Sequence, residues 1–346
     1  MKKFIIFLAW LIGSWSADAV AAGRLTIFIW SEYIDPGIIA SFEREHDIKV
    51  RLEHYDSNEE MLAKLNNGGL GQYDIIVPST YAVPNLKDMD LLQPLNHNLL
   101  PNLKNIDPAF TQLSSDPNCK FTVPYQWGTS GLAVRHKDVT QVQQSWKLIF
   151  SPGHEIGSFI MFDNSREALA TALKFQGYSI NTINHKEIES AARLLAQTRK
   201  RPSFLEFSDG EGGLRKIINN IAAAVQVYSG EAIKAQEKDP NIHYLLPAEG
   251  CEIWADVMAV AQNAPNKDNA HLFINYILDA KIGARLATYN RYGSPNAAAK
   301  KFLPEEDLNN PTIYPSDAQL RNMEYIEDLG NVNSLYDEAW IMITTQ

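Results

Sequence analysis

Cysteine is nearly absent from this chain: Cys119 and Cys251 are the only two in 346 residues. A disulfide-dense scaffold and a multi-cysteine zinc module are thereby excluded. Neither cysteine belongs to a C-x-x-C pair, so thioredoxin-like redox chemistry is excluded as well. Basic residues are outnumbered, with 31 Lys+Arg against 41 Asp+Glu and a formal net charge of −10. That balance opposes a nucleic-acid partner and suits a cationic small molecule. No run reaches the roughly 18 apolar residues that a transmembrane helix requires. There is no G-x-S-x-G, H-E-x-x-H, Walker A or EF-hand loop, and the eight histidines show no zinc spacing. Nothing local argues for an enzyme, a metal or a cofactor. Gly210-Glu211-Gly212-Gly213 follows no apolar strand and reads as a surface loop leading into a helix.

The composition that remains is ordinary for a globular protein, with 45% hydrophobic and 21% charged residues. Residues 1–22 are expected to be a leader. Lys2 and Lys3 precede an apolar stretch from Phe4 to Trp15, and Ala19-Val20-Ala21 supplies an A-x-A cleavage site. A soluble, exported, periplasmic protein is the expectation. In such an oxidising compartment an even cysteine count permits a Cys119–Cys251 disulfide. Closing its loop of about 130 residues would contribute roughly 4–5 kcal/mol. Two buried thiols are the alternative.

The order of elements points to α/β architecture. Arg24 to Ile29 alternates as a strand, and Pro36 opens a helix whose apolar positions recur at helical spacing. Val50 to Tyr55 alternates again, Ser57 to Glu60 opens a second helix, and Asp74-Ile75-Ile76-Val77 is a buried strand. A strand–helix–strand–helix–strand series implies parallel pairing under covering helices. A similar series recurs from Phe159, through helices starting near Arg166 and Lys186, to the apolar runs Ala222–Val227 and Trp254–Ala261. Two α/β units with no low-complexity linker between them imply two lobes with a chain that crosses back and forth.

Four stretches set polar residues, mostly including an acid, beside or near aromatic rings at strand ends: Trp30-Ser31-Glu32-Tyr33, Ser79-Thr80-Tyr81, Asp163-Asn164-Ser165-Arg166-Glu167 and Trp254-Ala255-Asp256. Open α/β sheets bind ligands beyond the carboxyl ends of their strands. Trp254 and Asp256, two apart on a strand, face the same way. Aromatic faces attract cations and cover methylenes, and carboxylates hold ammonium groups through charge-assisted hydrogen bonds. Together these suit an alkyl chain carrying protonated amines, that is, a polyamine. Structural readings stand beside this one. Trp30 and Tyr33 also fit strand-end packing, Ser79 a helix cap, and Asn164 with Glu167 a capping box. Trp127 also fits core packing. A buried Asp256 needs a partner in either case.

In order along the chain, W-S-E-Y-I (30–34), Y-D-S-N-E-E-M-L-A-K-L (55–65), Y-D-I-I-V-P-S-T-Y (73–81), V-P-Y-Q-W-G-T (123–129), S-R-E-A-L (165–169), W-A-D (254–256) and Y-G-S-P-N (292–296) resemble the periplasmic polyamine-binding proteins, the spermidine/putrescine receptors of ABC importers. The resemblance implies a class II periplasmic-binding fold, two α/β lobes joined by crossover hinge strands. It places one lobe at residues 24–132 plus 257–300 and the other at 133–256 plus 301–346. It implies that Trp30, Tyr33, Tyr81, Tyr228 and Trp254 box the methylenes and that Glu167 and Asp256 clamp the ammonium groups. Ser31, Glu32, Ser79, Asn164 and Ser208 would add polar contacts. Three positions depart from the family's pattern. Asn164 stands where spermidine-preferring members carry an aspartate, Tyr228 replaces a tryptophan, and Ile326 replaces an amine-binding glutamine. The implied function is capture of a linear polyamine for an ABC permease. The alternatives are a sensing subunit docked on a membrane signalling protein and, from another class, a secreted hydrolase or metal-binding receptor.

Overall fold

The computed structural model describes residues 23–345. The leader expected at residues 1–22 lies outside the described residues.

Strand β1 (Gly23–Trp30) places Leu25, Ile27 and Ile29 in one core and Phe28 in another, so both faces of the sheet are covered. Helix α1 (Pro36–His46) starts where Asp35 accepts a hydrogen bond from the Gly37 amide, and it buries Ile38 and Phe42. Strand β2 (Ile48–Tyr55) pairs with β1 in parallel, from Gly23 opposite Ile48 to Trp30 opposite Tyr55. The next helix, α2 (Asn58–Lys64), is capped by the Ser57 hydroxyl, which accepts from the Glu60 amide at 3.0 Å. The short β3 (Ile75–Ile76) is parallel to β1.

A fourteen-residue strand follows, β4 (Thr122–Arg135), which the pattern of residues alone did not reveal. After it come β5 (Phe159–Phe162), α3 (Ser165–Phe175), α4 (His185–Arg199), β6 (Phe204–Ser208), α5 (Gly210–Ile218) and β7 (Ala224–Tyr228). Then follow α6 (Ser229–Lys238), β8 (Ile242–Leu245) and β9 (Glu252–Val260), with α7 (Lys267–Ile277), α8 (Ala280–Asn290) and α9 (Asn333–Thr345) completing the longer elements. The glycine-rich 210–213 stretch is itself the first turn of α5, held by Asp209 accepting from the Gly212 amide. Sheet order is β2-β1-β3-β9-β4-β7-β5-β6, with β8 also on β4. Among the described residues no helix is long and apolar enough to cross a membrane.

Strands β4 and β9 run antiparallel and belong to both halves of the molecule. Val123 and Tyr125 of β4 pack in the core built on β1, while Leu132 and Val134 pack in the core built on α3, α4 and β5. Met258 and Val260 of β9 lie in the first core, and Ile253 packs against the second. The fold is therefore two α/β lobes joined by crossover strands.

The expected disulfide is corrected. Cys119 and Cys251 are both free thiols, 3% and 2% exposed, and each is buried in a different core. A pairing argument from even number fails because the two side chains serve separate packing units. Burial pushes the Cys119 thiol up to about 12 and raises Cys251 as well, so both are unreactive.

Candidate functional site

Between the two sets of strand ends lies a cavity of about 520 Å³. From the first lobe, Trp30 ends β1 with its indole Nε1 donating to the Val77 carbonyl at 2.9 Å and its ring against Tyr55. The chain then turns, with Glu32 at a left-handed φ of 51°, and delivers Tyr33 inward. The Tyr33 hydroxyl donates to Asp256 Oδ2 at 2.6 Å. Its backbone carbonyl is fixed by Tyr125 Oη and Asn290 Nδ2, each donating at 2.8 Å. Asn58, at the start of α2, accepts from the Ser79 amide and donates to the Tyr81 hydroxyl at 2.8 Å, tying both residues to one helix.

Strand β9 contributes Glu252, Trp254 and Asp256, at i, i+2 and i+4 on one face. Trp254 stands edge-on to Tyr292 and Tyr228, at ring separations of 4.8 and 5.8 Å. Asp256 is 7% exposed, and the neighbouring Val257 amide donates to the Pro78 carbonyl at 2.9 Å, which locks the strand to the Ser79 segment. From the second lobe, Asn164 caps α3 by accepting from the amides of Arg166 and Glu167. The cap orients the Glu167 side chain towards Tyr228, whose hydroxyl donates to its Oε1 at 2.8 Å. Ser130 of β4 stands opposite both Tyr228 and Glu252, which brings the Glu167 carboxyl beside that of Glu252; the latter accepts from Ser130 Oγ at 2.9 Å.

The electrostatics of the wall are one-sided. Asp56, Glu59, Asp163, Glu167, Asp209, Glu211, Glu231, Glu252 and Asp256 line the cavity, nine carboxyl groups with no Lys, Arg or His among the lining residues. Burial raises Asp256 to about 6, against the opposing donations from Tyr33 and Ser79. Burial likewise raises Glu252 and Glu231 to about 7. Burial, and then the charge of Glu252, hold Glu167 well above the usual carboxylate range. Carboxyls held up in this way favour an incoming cation, which stabilises their ionised forms.

Of the residues singled out in the sequence, Trp30, Ser31, Tyr33, Ser79, Tyr81, Asn164, Glu167, Ser208, Tyr228, Trp254 and Asp256 all line the cavity. Glu32 does not: it is exposed on the turn. Trp127 is also outside the lining, packed between Phe110 and Tyr314. Ile326 lines the cavity as an apolar wall backed by Ala170 and Ile180. Sequence reasoning missed Asn58, Glu59, Glu231, Glu252 and Tyr292. Asn58 and Glu59 were absorbed into a helix-start signal. Glu252 carried a usable one, the acid–aromatic–acid alternation Glu252-x-Trp254-x-Asp256.

Two α/β lobes on crossover strands, with a polar and aromatic cleft between them, define a solute-binding protein of the class II periplasmic type. The chain belongs to the bacterial extracellular solute-binding protein family, whose profile matches residues 37–315. It is 33% identical to the spermidine/putrescine-binding periplasmic protein of Escherichia coli K12, covering 98% of each chain. It is 31% identical to the putrescine-binding periplasmic protein SpuD of Pseudomonas aeruginosa, covering 95% of each. Among solved structures it resembles the spermidine/putrescine substrate-binding protein PotD of Streptococcus pneumoniae, with 32% identity and a TM-score of 0.82 over 93% of this chain and 98% of that one. The PotD lipoprotein of Treponema pallidum has the same TM-score at 27% identity, over 92% and 99%.

Proposed function

We propose that this chain is a periplasmic receptor that takes a linear polyamine into the inter-lobe cleft and passes it to an ABC permease. It performs no chemistry on the ligand. The observation that carries this reading is the wall itself: nine carboxyl groups, no basic side chain, and the rings of Trp30, Tyr33, Tyr81, Tyr228 and Trp254. Asp256, on the crossover strand β9, and Glu167, at the start of α3 in the second lobe, are the ammonium contacts, and the rings cover the methylenes between them. Each buried CH₂ contributes roughly 0.8 kcal/mol and each hydrogen bond to a charged group about 1.5–3 kcal/mol. Two clamped ammonium groups and a stacked chain therefore reach the roughly 8 kcal/mol of micromolar binding. The names of the relatives support both the ligand class and the transporter partner, and their periplasmic location supports reading residues 1–22 as a leader.

The lobes follow the two cores. Residues 24–132 plus 257–300 carry one, and 133–256 plus 301–346 carry the other, an assignment that the core membership supports outside residues 303–314. Leu303, Leu308 and Tyr314 pack with Ala284 and Ala287, so we place the last crossing of the chain after Tyr314.

The test is calorimetric titration of the mature protein, stripped of ligand by unfolding and refolding. Putrescine, cadaverine, norspermidine, spermidine and spermine are each titrated at two salt concentrations. Saturable one-to-one binding of any of them is the expected result. A folded protein that binds none overturns the polyamine reading. The rank order reports what Asn164 and Ile326 do to ligand preference.

A further inference from the structure

Glu252 is not among the ligand contacts that the family resemblance implies, yet it is 6% exposed and lines the cavity. The alternation of β9 puts it on the face that carries Trp254 and Asp256. At about 3.3 Å per residue, its Cα lies roughly 13 Å from that of Asp256. Eight or nine zigzag bonds of about 1.5 Å separate the terminal nitrogens of a triamine by roughly 10–11 Å. An ammonium group held at Asp256 thus leaves the far end of a triamine beside Glu252.

At that end Glu252 lies beside Glu167: Ser130 stands opposite both Glu252 and Tyr228 in the sheet, and Tyr228 holds Glu167. Ser130 donates to one member and Tyr228 to the other. Two carboxylates side by side in a desolvated site cannot both be ionised without a counter-charge. Arg166 is the cation that acts on Glu252, and its own hydrogen bonds go elsewhere. It is committed to the Glu327 carbonyl, Asn333 and Asn181, with its guanidinium over the Tyr336 ring. Lys174 is paired with Glu324. The other groups facing the pair are the acids Glu59 and Asp256 and the phenols of Tyr81, Tyr228 and Tyr244, which burial keeps neutral.

We propose that Glu252 turns the Glu167 contact into a two-carboxyl ammonium subsite, in which the pair shares one proton when the cleft is empty and releases it to solvent when an ammonium group enters. Ligand capture is then proton-linked, and affinity rises with pH. This deepens the polyamine reading and rests on it.

Titration with spermidine in buffers of different protonation enthalpy tests it by counting protons released per ligand. At pH 7 the Glu167–Glu252 pair is expected to contribute between about half and one proton. Asp256 adds only about a tenth of a proton there, since it is already mostly ionised. Glu252→Gln keeps binding but is expected to release less than wild type, because Glu167 then keeps only the raising effect of burial, and its pH dependence between 5.5 and 7.5 flattens. Glu231→Gln is expected to lower the release by no more than about half a proton, the contribution of Glu231 itself, and to leave the share of the pair in place. Spermidine binding with no proton release, or release lost in Glu231→Gln rather than Glu252→Gln, overturns the shared proton alone. No binding of any polyamine overturns the receptor reading and this subsite with it. Should Glu252→Gln fail to fold, carbon-13 NMR of the glutamate carboxyls in the empty wild type decides instead. Two carboxyls titrating together near neutrality support the pair, and independent titration of both near the usual glutamate range overturns it.

Discussion

Asp256 offers a test in which binding and stability move in opposite directions. The carboxyl is almost fully buried, accepts from Tyr33 at 2.6 Å, and has no basic residue beside it in the cavity lining. Asp256→Asn keeps the shape and an acceptor for Tyr33 but removes the charge facing an ammonium group. A hydrogen bond to a charged partner is worth about 1.5–3 kcal/mol, so affinity for spermidine at pH 7.5 should fall roughly 10- to 150-fold. The empty protein should behave in the reverse sense. Burial lifts the group from 3.8 to about 6, so above pH 6 its ionised form opposes folding by up to about 3 kcal/mol. Between pH 3.8 and 6 the folded state binds more protons than the unfolded one, and stability contributed at this site declines as pH rises through that window. The asparagine variant should therefore be more stable than wild type at pH 7.5 and lose that advantage near pH 4. Calorimetric titration paired with denaturant unfolding of ligand-free protein at both pH values measures the two effects. An affinity within twofold of wild type refutes the clamp role. A variant less stable than wild type at pH 7.5 refutes the idea of a carboxylate held at a cost for its ligand.

Three other outcomes follow from the geometry. A Cβ added at Gly128 would sit 2.5 Å from Trp254 Cζ2, so Gly128→Ala should displace the indole and weaken spermidine binding several-fold without touching the ligand; unchanged affinity and unchanged Trp fluorescence count against this. Asn58→Ala removes the ties to both Ser79 and Tyr81, each worth about 1 kcal/mol, and should weaken binding roughly tenfold or more in the same titration. Thiol labelling without reductant should modify neither Cys119 nor Cys251 in the folded protein and both after unfolding; failure to label the unfolded chain means that a bridge exists.

The first lobe was legible because its cues are local. Alternation at residues 24–29, the proline start at Pro36 and the Ser57 cap each settle an element without reference to anything distant. Strand β4 was not legible. Pro124, Gly128 and Gly131 read as breakers, and Gln126, Thr129 and Ser130 interrupt its apolar run. What makes it a strand is pairing with β9, more than a hundred residues on. The same contrast holds in the site. Trp254 and Asp256 declared themselves by spacing, whereas the partnership of Glu252 with Glu167 needs β9 and α3 brought together. The cysteines show the limit of counting: two in number, yet each belongs to its own core.

The strand that carries Glu252, Trp254 and Asp256 is also one of the strands that join the lobes. Glu252, Trp254 and Asp256 occupy the stretch of β9 between the residues anchored in one core and those packed on the other. A cation seated there would bear on the joint between the lobes directly. A membrane partner that touches only the outer faces of the lobes can sense the state of a buried carboxylate it never meets. A substitution on this stretch therefore bears on the joint between the lobes as well as on the cavity wall.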